Sequence, residues 1–165
     1  MKKTIFKGMA TAMVTPMTPE GVDYEALGRF IDFQLESGIN ALVAVGTTGE
    51  SATLTPEERE KVIAFTIDRV AGRVPVIAGT GTNNTQHAVN FSVSAAQAGA
   101  DALLVVTPYY NKATQNGLIA HFTTIADKVD KPIILYNVPS RTGCNLLPAT
   151  GEKLAEHPNI AAIKE

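Results

Sequence analysis

The chain has 165 residues, 45% of them hydrophobic and 18% charged, with a formal net charge of −2, a composition that fits an ordinary globular protein. No basic stripe or block of like charge points to nucleic acid or a membrane surface, and no apolar run approaches the ~18 residues that span a bilayer. The single Cys144 cannot close an internal disulfide, and Thr4-Ile5-Phe6 is too short for a signal-peptide core, so a reducing, cytoplasmic setting is expected.

Gly8 to Thr15 reads as a first strand closed by Pro16, and Thr18-Pro19-Glu20-Gly21 as a turn. Asp23 suits the N-cap of a helix that carries Leu27, Phe30, Ile31 and Leu35 on one face and ends at Gly38. Ala41 to Val45 is a fully apolar strand, followed by the loop Gly46-Thr47-Thr48-Gly49-Glu50. Thr55-Pro56-Glu57-Glu58 is a capping box with proline in the first helical position, and its helix runs to Val70 and stops near Gly72. Val74 to Ala78 is the third strand, with Gly79-Thr80-Gly81-Thr82 behind it, and a helix from about Asn84 runs to Gly99. Ala102 to Val106 is the fourth strand, followed by Thr107-Pro108-Tyr109-Tyr110-Asn111. Leu118, Phe122, Ile125 and Val129 mark a further helix. Pro132 to Tyr136 is the fifth strand, followed by a loop from Asn137 to Gly143, a helix with Pro148 near its start, and a sixth strand from Ile160 to Lys164.

Strands therefore recur about every thirty residues with a helix between them, and they are continuous apolar runs, as in a parallel sheet buried on both faces. A doubly wound sheet and a (β/α)₈ barrel both fit. The loops favour the barrel. Hydroxyl-rich loops follow strands two, four and five, and strand six ends in a lysine, so reactive groups are spread over the C-terminal ends of several strands. The first turn, Thr15-Pro16-Met17-Thr18, carries no nucleotide-binding glycine motif. A barrel needs eight strands and roughly 250 residues, so residues 1–165 are expected to be the N-terminal part of one barrel domain, with the remaining strands and C-terminal helices absent.

Lys164 emerges from the rim of an apolar sheet, where partial desolvation favours the neutral, nucleophilic amine. Taken singly, a lysine after a strand is a solvated surface charge. Tyr136 ends the preceding strand, close enough for its phenol to pass protons to a carbon attached to the lysine nitrogen; the plainer alternative is a rim tyrosine with its hydroxyl in water. Thr47 and Thr48 lie between glycines, an arrangement that suits a carboxylate or serves as an ordinary loop. Tyr109 and Tyr110 are catalytic or interface residues. Arg141 can hold a carboxylate in bidentate fashion or stand free at the surface. His87, His121 and His157 show no metal-ligand spacing and read as structural or solvated. Cys144 reads as a packing thiol, and the Gly79–Thr82 stretch lacks the end of a phosphate loop.

Gly46-Thr47-Thr48-Gly49-Glu50-Ser51, Thr107-Pro108-Tyr109-Tyr110-Asn111, Tyr136 to Gly143 and Ile163-Lys164-Glu165 together resemble the dihydrodipicolinate synthase family, over the whole chain and in order. The resemblance implies a Schiff-base (β/α)₈ lyase of lysine biosynthesis by the diaminopimelate route. Lys164 would condense with pyruvate, Tyr136 would exchange protons beside it, and Thr47 would link Tyr136 to Tyr110 in a hydroxyl relay. The family's pattern supplies the second tyrosine across a tight dimer interface, which implies an oligomer, commonly a dimer of dimers. Thr48 would hold the pyruvate carboxylate, and Arg141 the carboxylate of L-aspartate 4-semialdehyde. The covalent imine through Lys164 replaces any metal or other cofactor.

Many members are inhibited by lysine, and Ser51, Ala52, Asn83 and Tyr109 match positions of that site. His87 stands where inhibited bacterial enzymes often carry a glutamate, and Arg59 where some carry a histidine, which implies weak or absent inhibition. Two competing readings stand beside the synthase. One is another pyruvate-dependent lyase, such as N-acetylneuraminate lyase or a keto-deoxy sugar-acid aldolase; Arg141 and the paired threonines favour the synthase over it. The other is a non-catalytic barrel fragment, and little activity is expected of residues 1–165 alone.

Overall fold

The four central apolar runs, Ala41–Ala44, Val76–Gly79, Ala102–Val106 and Ile133–Tyr136, become strands buried on both faces. In the computed structural model, which describes residues 4–165, β1 (Ala10–Ala12) is followed by a small hairpin of β2 (Met17–Thr18) and β3 (Gly21–Val22), and then by α1 (Tyr24–Glu36). The chain continues through β4 (Ala41–Ala44), α2 (Pro56–Val70), β5 (Val76–Gly79), α3 (Thr85–Ala98) and β6 (Ala102–Val106). It ends with α4 (Gln115–Ala126), β7 (Ile133–Tyr136), a short α5 (Pro139–Thr142), α6 (Pro148–Ala155) and β8 (Ile160–Lys164).

The six-stranded sheet has the order β1-β4-β5-β6-β7-β8, and every neighbouring pair in it is parallel. A doubly wound sheet reverses its order at a switch point. Here each strand lies beside its predecessor, so the right-handed crossovers keep all their helices on one face. That is the strand order of a (β/α)₈ barrel.

Alternate residues serve the two faces, as the strand period of two requires. Leu42, Ala44, Ala78, Leu103, Val105 and Leu135 join the helix-covered core. Ala41, Val43, Ile77, Leu104, Ile134 and Tyr136 form a second cluster on the opposite face. All six strands point the same way, so the residues that follow β4, β6, β7 and β8 collect along one rim.

The helix starts follow the sequence closely. Asp23 accepts from the Ala26 N–H at 2.8 Å. Thr55 and Glu58 close the capping box at 3.2 and 2.8 Å. Asn84 caps α3 and Gly99 ends it with φ 102°. The ends of some elements differ from expectation. The first strand is only Ala10–Ala12, because Thr15 turns its hydroxyl onto the Gly49 carbonyl at 2.8 Å and Pro16 has no N–H to pair. The third strand starts at Val76, since Pro75 contributes only a carbonyl, which receives the Leu42 N–H at 3.0 Å. Helix α4 ends at Ala126 rather than reaching Val129; Val129 still packs on the core from the loop beyond it. The loop after β7 contains the turn of helix α5, started by Pro139 and ended by Gly143 at φ 67°.

The Gly79–Thr82 stretch has a packing explanation. A Cβ on Gly79 would lie 2.1 Å from the Val45 carbonyl oxygen, and one on Gly81 would lie 2.3 Å from the Val106 nitrogen. The backbone of this loop is pressed against both neighbouring strand ends. Gly79→Ala should therefore lower unfolding stability by roughly 2 kcal/mol or more in urea titration. An unchanged midpoint would mean that the strand ends can part freely.

His121 is buried at 5% exposure. Its Nδ1 lies 2.8 Å from the Thr85 hydroxyl, and its Nε2 has no hydrogen-bond partner. Burial lowers its pKa from 6.5 to about 4. Between those values the unfolded chain binds a proton that the folded chain refuses, so stability is present above the unfolded pKa and declines as pH falls toward the folded one. The loss attributable to this group reaches at most about 3 kcal/mol. Denaturant titrations at about pH 7, above that window, and at about pH 4.5, well inside it, should show a smaller difference for His121→Gln than for the natural chain.

Candidate active site

Parallel pairing of β7 with β8 places Tyr136 directly opposite Lys164. The Lys164 Nζ lies 3.9 Å from the centre of the Tyr136 ring, a contact between an ammonium and the negative face of an aromatic ring. Tyr136 is buried at 9% exposure. Lys164 is exposed, and among the described residues β8 has β7 as its only neighbour in the sheet.

Thr47 lies with Tyr136, Ser51, Gly79, Gly81 and Val106 along one narrow crevice above the sheet. The β4 end turns sharply into it, with Val45 at φ 56° and the Ser51 N–H reaching back to the Gly46 carbonyl at 3.4 Å. Thr48 is exposed on the same loop.

Tyr110 and Arg141 belong to a second, wider cleft of about 750 Å³, which Tyr109 and Lys112 also line. The Tyr110 N–H donates to the Thr142 carbonyl at 3.1 Å, which ties the loop after β6 to α5. Tyr110 takes φ 70°, a left-handed conformation that costs a non-glycine residue of order 1 kcal/mol, and its side chain is 88% exposed. Arg141 is exposed on α5. The structure thus joins Lys164 to Tyr136, sets Thr47 beside Tyr136, and gathers Tyr110 with Arg141. Among the described residues no hydrogen bond links the hydroxyls of Thr47, Tyr136 and Tyr110.

Ser51, Ala52, Asn83, His87 and Tyr109 lie on the loops after β4, β5 and β6 and on the first turn of α3. The Tyr109 hydroxyl is 3.4 Å from that of Thr82. The Asn83 carbonyl accepts from the Asn111 side chain at 3.2 Å. His87 is exposed and meets Phe91 edge to face. Arg59 lies under the α2–α3 contact, 7% exposed, with its guanidinium 4.0 Å from the Phe91 ring centre and donating to the Gly79 carbonyl at 3.2 Å. Burial pulls the Arg59 pKa down, and the nearby Tyr109 opposes that shift.

Two features escaped sequence reading. The burial of Arg59 carries no local signature, since its own helix offers it no partner. Asn137, next to Tyr136, is buried at 4% exposure and fully hydrogen-bonded; a polar residue at a strand's C-terminal end, ahead of Pro139, was the available signal. Cys144 is buried as expected, and burial raises its pKa. Among the described residues no group of three or more His, Cys, Asp or Glu side chains could hold a metal ion, and no helix is long and apolar enough to cross a membrane.

The model of the Dihydrodipicolinate synthetase family matches residues 5–165. The 4-hydroxy-tetrahydrodipicolinate synthase of Thermoanaerobacter sp. (strain X514) is 57% identical over 162 residues, which cover 98% of this chain and 54% of that relative. The crystal structure of dihydrodipicolinate synthase from Aquifex aeolicus superposes with a TM-score of 0.95 at 53% identity, over 97% of this chain and 55% of that one. The chloride-inhibited dihydrodipicolinate synthase from Acinetobacter baumannii, complexed with pyruvate, gives a TM-score of 0.95 at 50% identity, over 98% and 55% of the two chains. The chain therefore spans about half the length of the relatives it matches.

The geometry of the rim makes a direct demand on Tyr136. If the ring positions the Lys164 amine, Tyr136→Leu should speed labelling of Lys164 by an amine-selective reagent, read by peptide mass spectrometry. Equal labelling rates in the two proteins would show that the ring does not hold the amine.

Proposed function

The chain belongs to the dihydrodipicolinate synthetase family, and on that premise we propose that it carries out 4-hydroxy-tetrahydrodipicolinate synthase chemistry, joining pyruvate to L-aspartate 4-semialdehyde through an imine on Lys164. The contact between the Lys164 amine and the Tyr136 ring across adjacent strand ends carries this reading. The relatives' shared name and the pyruvate complex of the Acinetobacter enzyme support the choice of reaction and first substrate.

The amine attacks the ketone of pyruvate and water leaves as the imine forms. Loss of a methyl proton gives an enamine, with the iminium nitrogen acting as the electron sink that a metal would otherwise supply. The enamine carbon adds to the aldehyde, the amine of the semialdehyde closes onto the imine carbon, and Lys164 is released. Tyr136 is the proton carrier at the lysine-bound carbon. Thr48 holds the pyruvate carboxylate and Arg141 that of the semialdehyde, the latter by a charge-assisted bidentate contact.

Thr47 stands between Tyr136 and the outer hydroxyl of a relay, and Tyr110 supplies that outer hydroxyl to a second copy of the chain. The exposure of Tyr110 and its bond to the Arg141 loop support that role. A homo-oligomer, most simply a dimer of dimers, is part of this proposal, as is a cytoplasmic setting. None of Ser51, Ala52, Asn83, His87 and Tyr109 is acidic, so the candidate effector site has no carboxylate among them for the amino groups of lysine.

Steady-state turnover of pyruvate with L-aspartate 4-semialdehyde tests the reading, and Tyr136→Phe should lower kcat about a hundredfold or more. Turnover of N-acetylneuraminate or a keto-deoxy sugar acid in place of the semialdehyde would overturn the substrate assignment. Added lysine should leave the rate nearly unchanged; strong suppression would refute the account of His87.

A further inference from the structure

Asn137 is the side chain on which the two halves of the candidate site meet. Its backbone N–H donates to the Lys164 carbonyl at 2.9 Å, extending the β7–β8 pairing past Tyr136. Its Oδ1 accepts from the Leu146 N–H at 2.9 Å. That bond fixes the orientation of the amide and turns Nδ2 toward two oxygens, Asn145 Oδ1 at 2.9 Å and Glu165 Oε1 at 3.2 Å.

The residues between Asn137 and Asn145 form the loop that carries α5 and Arg141. The Asn137 amide closes the neck of that loop and, with its other N–H, ties the loop to the residue that follows Lys164. One planar group must supply two donors and one acceptor here, which asparagine can do and aspartate or leucine cannot. The group is 4% exposed, so water cannot readily replace a lost partner.

We propose that Asn137 is a positioning residue for the imine chemistry, fixing the Lys164 strand end and the Arg141 loop in one frame. This rests on the synthase reading above. Asn137 touches no reacting atom; it acts through Lys164 and Arg141. A nucleophile and a carboxylate clamp must be held together to a fraction of an ångström for the second substrate to meet the enamine, and a displacement of about 1 Å can cost of the order of a hundredfold.

Asn137→Asp keeps the acceptor for Leu146, removes both donors, and sets a carboxylate against that of Glu165. In the full chain it should lower kcat by roughly ten- to a hundredfold and raise KM for the semialdehyde more than KM for pyruvate. Combining Asn137→Asp with Glu165→Gln reverses the polarity of the bond, because the glutamine amide can donate to the new carboxylate while the Asn145 amide turns over to do the same. The double variant should recover most of the lost kcat. Glu165→Ala removes only the side-chain tie and leaves the bond from the Asn137 N–H to the Lys164 carbonyl in place; it should fold normally and should lower kcat several-fold.

Recovery in the double variant together with the KM split supports the proposal. Natural kcat and KM values in folded Asn137→Asp, no recovery in a folded double variant, or full activity in Glu165→Ala would overturn it. If Asn137→Asp does not fold, the Glu165→Ala result decides. Absence of turnover by the natural full chain would instead refute the synthase reading and remove the premise of this one.

Discussion

The parallel register of β7 and β8 is the constraint on which the site depends. It sets Tyr136 opposite Lys164, and a shift of one residue would send one of the two side chains to the other face of the sheet. The register is fixed by apolar packing well below the rim. Ile133, Leu135 and Ile160 face the helices, and Ile134 faces the opposite cluster with Leu104 and Ile77. A shift at Ile133–Ile134, where the pairing is irregular, brings the two strand ends level. Core packing thus determines a contact that is itself only partly buried.

The remaining elements extend this logic along the rim. The close approach of Gly79 and Gly81 to the ends of β4 and β6 keeps the neighbouring strand ends tight and leaves the narrow crevice that Thr47 and Tyr136 both line. The bond from Tyr110 to Thr142 and the Asn137 amide tie the outer loops to the strand that bears the lysine. The strands place Lys164 and Tyr136, and a few buried polar bonds place the loops. Precise placement on strands, with chemistry varied through loops, is the general habit of the barrel fold.

Much of the fold was legible because its signals are local. Capping residues at Asp23, Thr55 and Asn84 and unbroken apolar runs identify helices and buried strands without tertiary information. Lys164 and Tyr136 were legible as a pair because consecutive strands of such a sheet are neighbours. Arg59 and His121 were read without their burial, because the groups around them come from other helices and loops. Asn137 was missed for the same reason: its partners lie eight to twenty-eight positions along the chain, and nothing in the local sequence shows that they converge.

The proposed chemistry rests on Lys164 as the nucleophile for a keto acid. Intact mass spectrometry of the folded full chain, before and after pyruvate and borohydride, addresses it without requiring the second substrate. The added mass of one reduced pyruvate per chain is expected, mapped by peptide analysis to Lys164 and abolished by Lys164→Ala. A folded chain that gains no adduct, or gains it at another lysine, would rule out Lys164 as that nucleophile.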